Sequence, residues 1–179
     1  TDPHSDDTPD VVAAPEAAAG SGLAAEKERR LGLVEAMRES GDNPYPYRFD
    51  RTHTLADVRS GWGHLEPGIE TEDPVSVAGR IMLKRDSGKL IFATIRDRSG
   101  EIQLFISKAV VGDDEFAAIK DLDLGDWVGV SGTVMTTRKG ELSVKPDHVE
   151  LLSKAIRPMP DKWHGLTDVD TRFRQRYAD

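Results

Sequence analysis

Residues 75–107 alternate between apolar and polar positions in three short runs that two glycine-containing turns separate. A strand turns successive side chains to opposite faces, so each run divides into two sets. One face carries only aliphatic side chains: Ile91, Ala93, Ile95, Ile102, Leu104 and Ile106. The opposite face carries Leu90, Phe92, Thr94 and Arg96 in one run and Gln103, Phe105 and Ser107 in the next. The pattern predicts three strands with the aliphatic face in a core and the mixed face outside.

Five strands and one helix are predicted in this part of the chain. The strands are expected at 75–85, 89–97, 101–108 and 127–134, with a fifth beginning at Glu141. Between the third and fourth strands, acids at 113–115 precede an amphipathic stretch, which predicts a capped helix. The order βββ-α-ββ predicts a mainly β protein, a five-stranded Greek-key OB-fold barrel. A generic small barrel or sandwich is the alternative, and the helix favours the OB-fold.

The residues before the barrel divide into a tail, a helix and a connector. Residues 1–22 are rich in Ala, Pro, Asp and Gly and predict a disordered acidic tail. Residues 23–74 are expected to form an N-terminal helix and an extended connector. The helix is predicted over 23–40, because Leu23, Leu31, Val34 and Met37 share one stripe. The prolines at 44 and 46 exclude helix in the connector, and Thr54 is a candidate cap for a short helix.

The barrel itself is assigned to residues 75–156, and residues 157–179 are interpreted as a linker. Charge supports a binding role for the barrel despite a net charge of −8. The tail carries five acids and no Lys or Arg, whereas residues 75–111 carry seven Lys or Arg against three acids. A locally basic surface therefore lies within an acidic chain.

The outward face of the second and third strands has the chemistry of a surface for unpaired bases. A base stacked on Phe92 or Phe105 gains about 1–3 kcal/mol. The amide of Gln103 matches the donor and acceptor edge of uracil, and Glu141 can accept from a ring N–H. Arg85 lies across the first hairpin from Phe92, where it can meet phosphate or base. Each residue alone has an ordinary alternative, in the core or as a solvated charge; their convergence on one face carries the prediction.

Neither a catalytic centre nor a metal site is predicted. The histidines are scattered, at positions 4, 53, 64, 148 and 164, without the spacing of zinc ligands. The acids at 113–115 suit a helix N-terminus, which favours negative charge. No phosphate-binding loop of the G-x-x-x-x-G-K-[ST] type occurs. The chain has no Cys, no signal-peptide pattern and no apolar run of membrane length, which is typical of a cytoplasmic protein.

The sequence resembles the N-terminal anticodon-binding domain of class II lysyl-tRNA synthetases of the bacterial type, over roughly residues 23–179. The segments that carry the resemblance are 43–46 (NPYP), 77–81 (VAGRI), 88–92 (GKLIF), 97–100, 102–104 (IQL), 124–126 (LGD) and 140–143 (GELS). The segments KWHGL at 162–166 and RFRQRY at 172–177 resemble the lead into the family's catalytic domain.

The resemblance implies roles for individual residues. It implies that Phe92 is the stacking aromatic, that Gln103 reads the uridine edge and that Glu141 contacts an anticodon base. Arg85 corresponds to a basic residue of the first hairpin. The implied partner is the anticodon loop of tRNA(Lys).

The resemblance also implies an intact lysine–tRNA ligase that uses ATP and magnesium and forms a homodimer. The catalytic motifs of that family do not occur in these 179 residues. We therefore expect this chain to bind RNA without catalysing and without a cofactor of its own. Two other classes stay open: a non-specific single-strand binder of the same fold, and a protein-interaction barrel whose Phe92/Phe105 face docks a peptide.

Overall fold

A computed structural model describes residues 16–158, with side chains from residue 22 onward. Its strands are β1 (Glu70–Asp86), β2 (Leu90–Arg96), β3 (Glu101–Ser107), β4 (Trp127–Thr136) and β5 (Leu142–Ser153). Its helices are α1 (Glu16–Ser40), α2 (Leu55–Trp62), α3 (Lys108–Val111) and α4 (Asp113–Lys120). None of the helices in residues 16–158 has the length and apolar character needed to span a membrane.

The five strands close into a barrel in the order β1-β2-β3-β5-β4. The pair β3–β5 is parallel, and the other four pairs are antiparallel. Helices α3 and α4 lie between β3 and β4 in the chain. The predicted mainly β, five-stranded OB-fold barrel is confirmed.

The aliphatic face of β2 and β3 fills the barrel, as the alternation predicts. All six of its side chains are buried, with exposures between 0% and 4%. Strand β4 shifts its register with β5 at Gly132. A Cβ added at Gly132 would lie 2.2 Å from the carbonyl oxygen of Lys145, so only glycine allows the strands to approach this closely.

The N-terminal part differs from the prediction in two places. Helix α1 begins at Glu16, so residues 16–22 of the predicted tail are helical, while residues 1–15 lie outside the described residues. Strand β1 begins at Glu70, before the predicted start at residue 75, because Glu70 pairs with Met135 ahead of a register shift at Pro74. The apolar alternation starts only after this exposed segment, which is why the pattern missed it.

The helical connection between β3 and β4 also differs from the single capped helix that was predicted. Gly112 separates α3 from α4 with a φ of +85°, a left-handed backbone value that favours glycine. Gly112 is also the N-cap of α4 and provides no side-chain hydrogen bond. The acids at 113–115 lie inside the first turn of α4, where they face the positive end of the helix dipole.

Helix α1 is held to the barrel by charged groups as well as apolar ones. Val34 is buried, but Leu23, assigned to the apolar stripe, is 57% exposed. Arg30 is only 4% exposed and donates to the carbonyl oxygens of Leu124 and Ala155 at 3.1 and 3.0 Å. The sequence pattern assigns such a cation to solvent, whereas here it satisfies two backbone acceptors of the barrel.

A buried ion pair lies beside this contact. The ammonium of Lys154, 5% exposed, is 2.7 Å from carboxylate oxygens of both Asp123 and Asp126. Asp126 is fully buried and also accepts from the backbone N–H of Ala155 at 2.8 Å. These contacts fix the residues that follow β5. Of the predicted linker 157–179, residues 159–179 lie outside the described part.

Helix α2 confirms the helix start predicted at Thr54. Thr54 and Asp57 form a reciprocal capping box. The helix is attached to the β2–β3 turn by the buried carboxylate of Asp97, which accepts from the backbone N–H of Leu55 at 3.2 Å. Asp97 also accepts from the hydroxyl and N–H of Ser99, both at 2.6 Å.

Asp97 makes the stability of the fold depend on pH. Burial of its carboxyl opposes ionisation, yet hydrogen bonds from Ser99, Leu55 and Gly100 outweigh burial and hold its pKa below the ordinary value. A carboxyl with a lower pKa in the folded state stabilises the fold above its unfolded pKa, about 3.9. That contribution is lost as the pH falls through the lower, folded value.

We predict that Asp97→Asn lowers the unfolding free energy at pH 7 by about 2 kcal/mol, because the amide loses charge-assisted hydrogen bonds. The difference from the parent shrinks as the pH is lowered from 7 toward 2. Urea unfolding at several pH values measures both effects, and Asp147→Asn, at an exposed carboxyl, is the matched control. A difference that stays constant with pH would contradict the assignment.

Candidate nucleic-acid interface

The outer face of β1, β2 and β3 carries a row of three side chains. In the register, Arg85 lies opposite Phe92, and Phe92 lies opposite Phe105. The two rings meet edge to face, with centroids 5.4 Å apart and an interplanar angle of 81°. The Arg85 guanidinium carbon lies 5.3 Å from the centroid of Phe92, within the range of a cation–π contact. These contacts hold the rings on the outside of the barrel.

Both phenylalanines are half-buried and not sealed in the core. Their inward-facing neighbours, Ile91 and Ile106, are each 1% exposed. The alternation therefore leaves no room in the barrel for the aromatic rings. The prediction that aromatic side chains lie on the outer face agrees with this geometry.

Gln103 lies opposite Ser143 where β3 runs parallel to β5. Its Nε2 atom donates to the Ser143 hydroxyl at 3.0 Å, and that hydroxyl donates to the Glu141 carbonyl oxygen at 3.2 Å. Among residues 22–158, whose side chains the structure describes, the Oε1 atom of Gln103 finds no hydrogen-bond donor. One N–H of the amide is thus used to fix its orientation, and one acceptor and one donor stay available.

One groove of about 610 Å³ brings together all five residues predicted from the sequence. Phe92, Gln103 and Phe105 contribute from the strands, Arg85 from the first hairpin and Glu141 from the β4–β5 connection. The remaining lining residues come from the start of β1 and the β4–β5 hairpin: Gly68, Glu70, Met135, Thr136, Thr137, Arg138 and Lys139.

Two cations of this groove were not singled out from the sequence. Arg138 and Lys139 are exposed at the tip of the β4–β5 hairpin. The hairpin is closed by hydrogen bonds from the Gly140 N–H to Thr137 and from the Thr137 N–H to Glu141, at 2.8 and 2.9 Å. The sequence does contain a signal for them: two adjacent basic residues and a glycine directly precede the predicted start of the fifth strand at Glu141.

The groove is more basic than acidic. Its lining includes the cations Arg85, Arg138 and Lys139 and the acids Glu70 and Glu141. The charge of Glu70 is balanced by Lys145, whose Nζ lies 2.6 Å from its carboxylate. The geometry therefore combines two aromatic rings, one free amide edge, one acid and three cations, which suits unpaired nucleotides.

Residues 75–152 match a family described as the OB-fold nucleic acid binding domain of the tRNA anticodon type. The matched residues cover β1 from its first buried position almost to the end of β5. The anticodon-binding OB-fold predicted from the sequence is confirmed.

The chain is also similar to curated lysine–tRNA ligases. It is 49% identical over 152 residues to the lysine–tRNA ligase of Enterococcus faecalis, covering 84% of this chain and 30% of that protein. The corresponding protein of Synechococcus sp. strain RCC307 is 47% identical over 154 residues, covering 86% and 30%. That of Bacillus cereus is 49% identical over 152 residues, covering 84% and 30%. The chain thus spans about 30% of the length of these relatives, and the predicted resemblance is confirmed.

The alternation in β2 predicts unequal losses of stability for two adjacent substitutions. Ile91→Ala removes a core side chain, and we expect it to lower the unfolding free energy by about 3 kcal/mol. Phe92→Ala removes the larger side chain but only an outer-face packing partner of Phe105, and we expect a decrease of about 1 kcal/mol. Chemical denaturation of the two variants and the parent measures the order. A larger decrease for Phe92→Ala would contradict the outward position of the ring.

Proposed function

We propose that the groove binds the anticodon loop of a tRNA and that this chain is the anticodon-recognition part of a lysine–tRNA ligase. One observation carries the proposal: the five residues selected for base recognition line a single open groove on an OB-fold of the anticodon type. The similarity to lysine–tRNA ligases supports tRNA(Lys) as the partner.

In the proposed complex, the rings hold a base and the amide reads it. A base stacks on Phe92, whose ring is held by the edge-to-face contact with Phe105 and by Arg85. The free Oε1 of Gln103 accepts from the N3–H of a uridine, and the second Nε2–H donates to a uridine carbonyl. The Ser143 hydroxyl supports this choice, because it fixes the amide before RNA binds.

The rim of the groove provides the remaining contacts. We assign Glu141 to accept from a base N–H, because its exposed carboxylate is available and lies at the start of β5. We assign Arg85, Arg138 and Lys139 to the phosphates on either side of the stacked base. Cations at these positions release counterions when RNA binds, so binding falls as salt rises.

The intact protein is proposed to attach lysine to tRNA(Lys) in the cytoplasm, as a homodimer that uses ATP and magnesium. The relatives are named for this ligase activity, and this chain covers about 30% of their length. We assign the reaction to the part of those proteins that this chain does not cover and anticodon recognition to the barrel. The residues from 157 to 179 are proposed to connect the two.

We predict that Phe92→Ala weakens binding of an anticodon stem-loop of tRNA(Lys) by about thirtyfold, because the stacked base loses about 2 kcal/mol. Fluorescence anisotropy with labelled RNA measures the change. The control is Tyr47→Ala, which removes a fully exposed aromatic ring outside the groove. Unchanged binding by Phe92→Ala, or an equal loss in the control, would contradict the stacking assignment.

A second prediction concerns the central anticodon base. Replacing uridine by cytidine exchanges the N3–H donor for an acceptor, and we expect binding to weaken by about 1–3 kcal/mol, since a buried polar contact becomes unpaired. Gln103→Ala should remove most of this preference while leaving the salt dependence unchanged.

Two results would point to the other classes. Equal affinity for uridine-, cytidine- and adenosine-centred loops would favour a non-specific single-strand binder. Absence of RNA binding at low salt would favour a groove for a partner peptide.

A further inference from the structure

Residues 66–69, called the brace segment here, lie against the end of β4 beside the groove. The hydroxyl of Thr136 donates to the Glu66 carbonyl oxygen at 2.5 Å and accepts from the Ile69 N–H at 3.1 Å. The backbone N–H of Thr136 donates to the Ile69 carbonyl oxygen at 2.8 Å. Thr136 is 3% exposed, so these bonds are shielded from water. The brace segment is therefore joined to β4 through one threonine.

The brace segment also bonds to one end of the β4–β5 hairpin and lies near the other. The Gly68 N–H donates to the Thr137 carbonyl oxygen at 3.1 Å. A Cβ added at Gly140 would lie 3.5 Å from the Pro67 ring, which is van der Waals contact distance. The hairpin that carries Arg138 and Lys139 therefore lies beside residues that precede the barrel in the chain.

The side chains of Arg138 and Lys139 need such support. Both are exposed, and with the side chains of residues 22–158 neither makes an ion pair or a side-chain hydrogen bond. Only the hairpin backbone determines where they lie relative to Phe92 and Gln103. A backbone held in place before binding reduces the ordering cost that a ligand must meet.

We propose that Thr136 is a positioning residue that, through the brace segment, holds the hairpin cations over the RNA groove. The proposal rests on the function proposed above and adds to it a groove-lining residue whose buried hydroxyl bonds to the protein and not to RNA. Removing the hydroxyl takes away its hydrogen bonds to Glu66 and Ile69 and leaves only the backbone bond between Thr136 and Ile69, while every RNA-contacting side chain stays in the chain.

The test compares Thr136→Val, which keeps the shape and removes the hydroxyl, with Thr136→Ser, which keeps the hydroxyl. Thr133→Val makes the same chemical change on the same strand outside the groove lining. Anticodon stem-loop RNA is titrated at several salt concentrations. We expect Thr136→Val to weaken binding about tenfold and to reduce the salt slope by about one for each phosphate that the hairpin cations no longer neutralise. Thr136→Ser and Thr133→Val keep the parent's affinity and slope.

A double-mutant cycle separates positioning from general destabilisation. In a background with Arg138→Ala and Lys139→Ala, Thr136→Val should weaken binding no further, because the cations that it positions are gone. The same tenfold weakening in that background, or a weakening with the parent's salt slope, would overturn the proposal.

Hydrogen exchange gives a readout that does not depend on RNA. The amides of Gly68, Thr137 and Gly140 should exchange faster in Thr136→Val than in the parent, while core amides of β2 are unchanged. Unchanged exchange at these three amides would overturn the proposal even if RNA binding falls. If the parent does not bind the RNA at all, the proposed function fails, and the exchange measurement still decides whether Thr136 holds the hairpin.

Discussion

The structure depends on the strict alternation of side chains along β2 and β3. Six aliphatic side chains on one face fill the core of the barrel. Phe92, Phe105 and Gln103 alternate with them along the strands and therefore lie on the outer face. A shift of one residue in the pairing of these strands would exchange the two faces. The same constraint therefore builds the core and exposes the groups proposed to recognise a base.

Much of the fold follows from local pattern in the sequence. The alternation in β2 and β3, the β-rich run of β4 and the helical stretch between β3 and β4 define the order of the barrel without long-range information. Assigning alternate residues of these strands to opposite faces also places Phe92, Phe105 and Gln103 on the same face. Arg85 and Glu141 join them because hairpin turns, which the glycines at 88 and 140 mark, place residues of neighbouring strands side by side.

The features that were missed depend on contacts between distant parts of the chain. Arg30 is buried because it donates hydrogen bonds to carbonyl oxygens of residues 124 and 155. The pattern of residues within a helix does not indicate partners so far away in the chain. Thr136 bonds to residues 66–69, about seventy positions earlier, through its hydroxyl and its backbone N–H. The first residues of β1 pair without apolar alternation, so nothing in their periodicity marks a strand.

The most direct test of the central claim is an NMR study of the isotope-labelled protein with an anticodon stem-loop of tRNA(Lys). We expect intermolecular nuclear Overhauser effects between the Phe92 ring and protons of one loop base, together with a shift of the Gln103 side-chain amide. Contacts confined to another surface, such as the groove that Leu33 and Met37 of α1 line together with Ala118 of α4, with the Phe92 ring unaffected, would contradict the account.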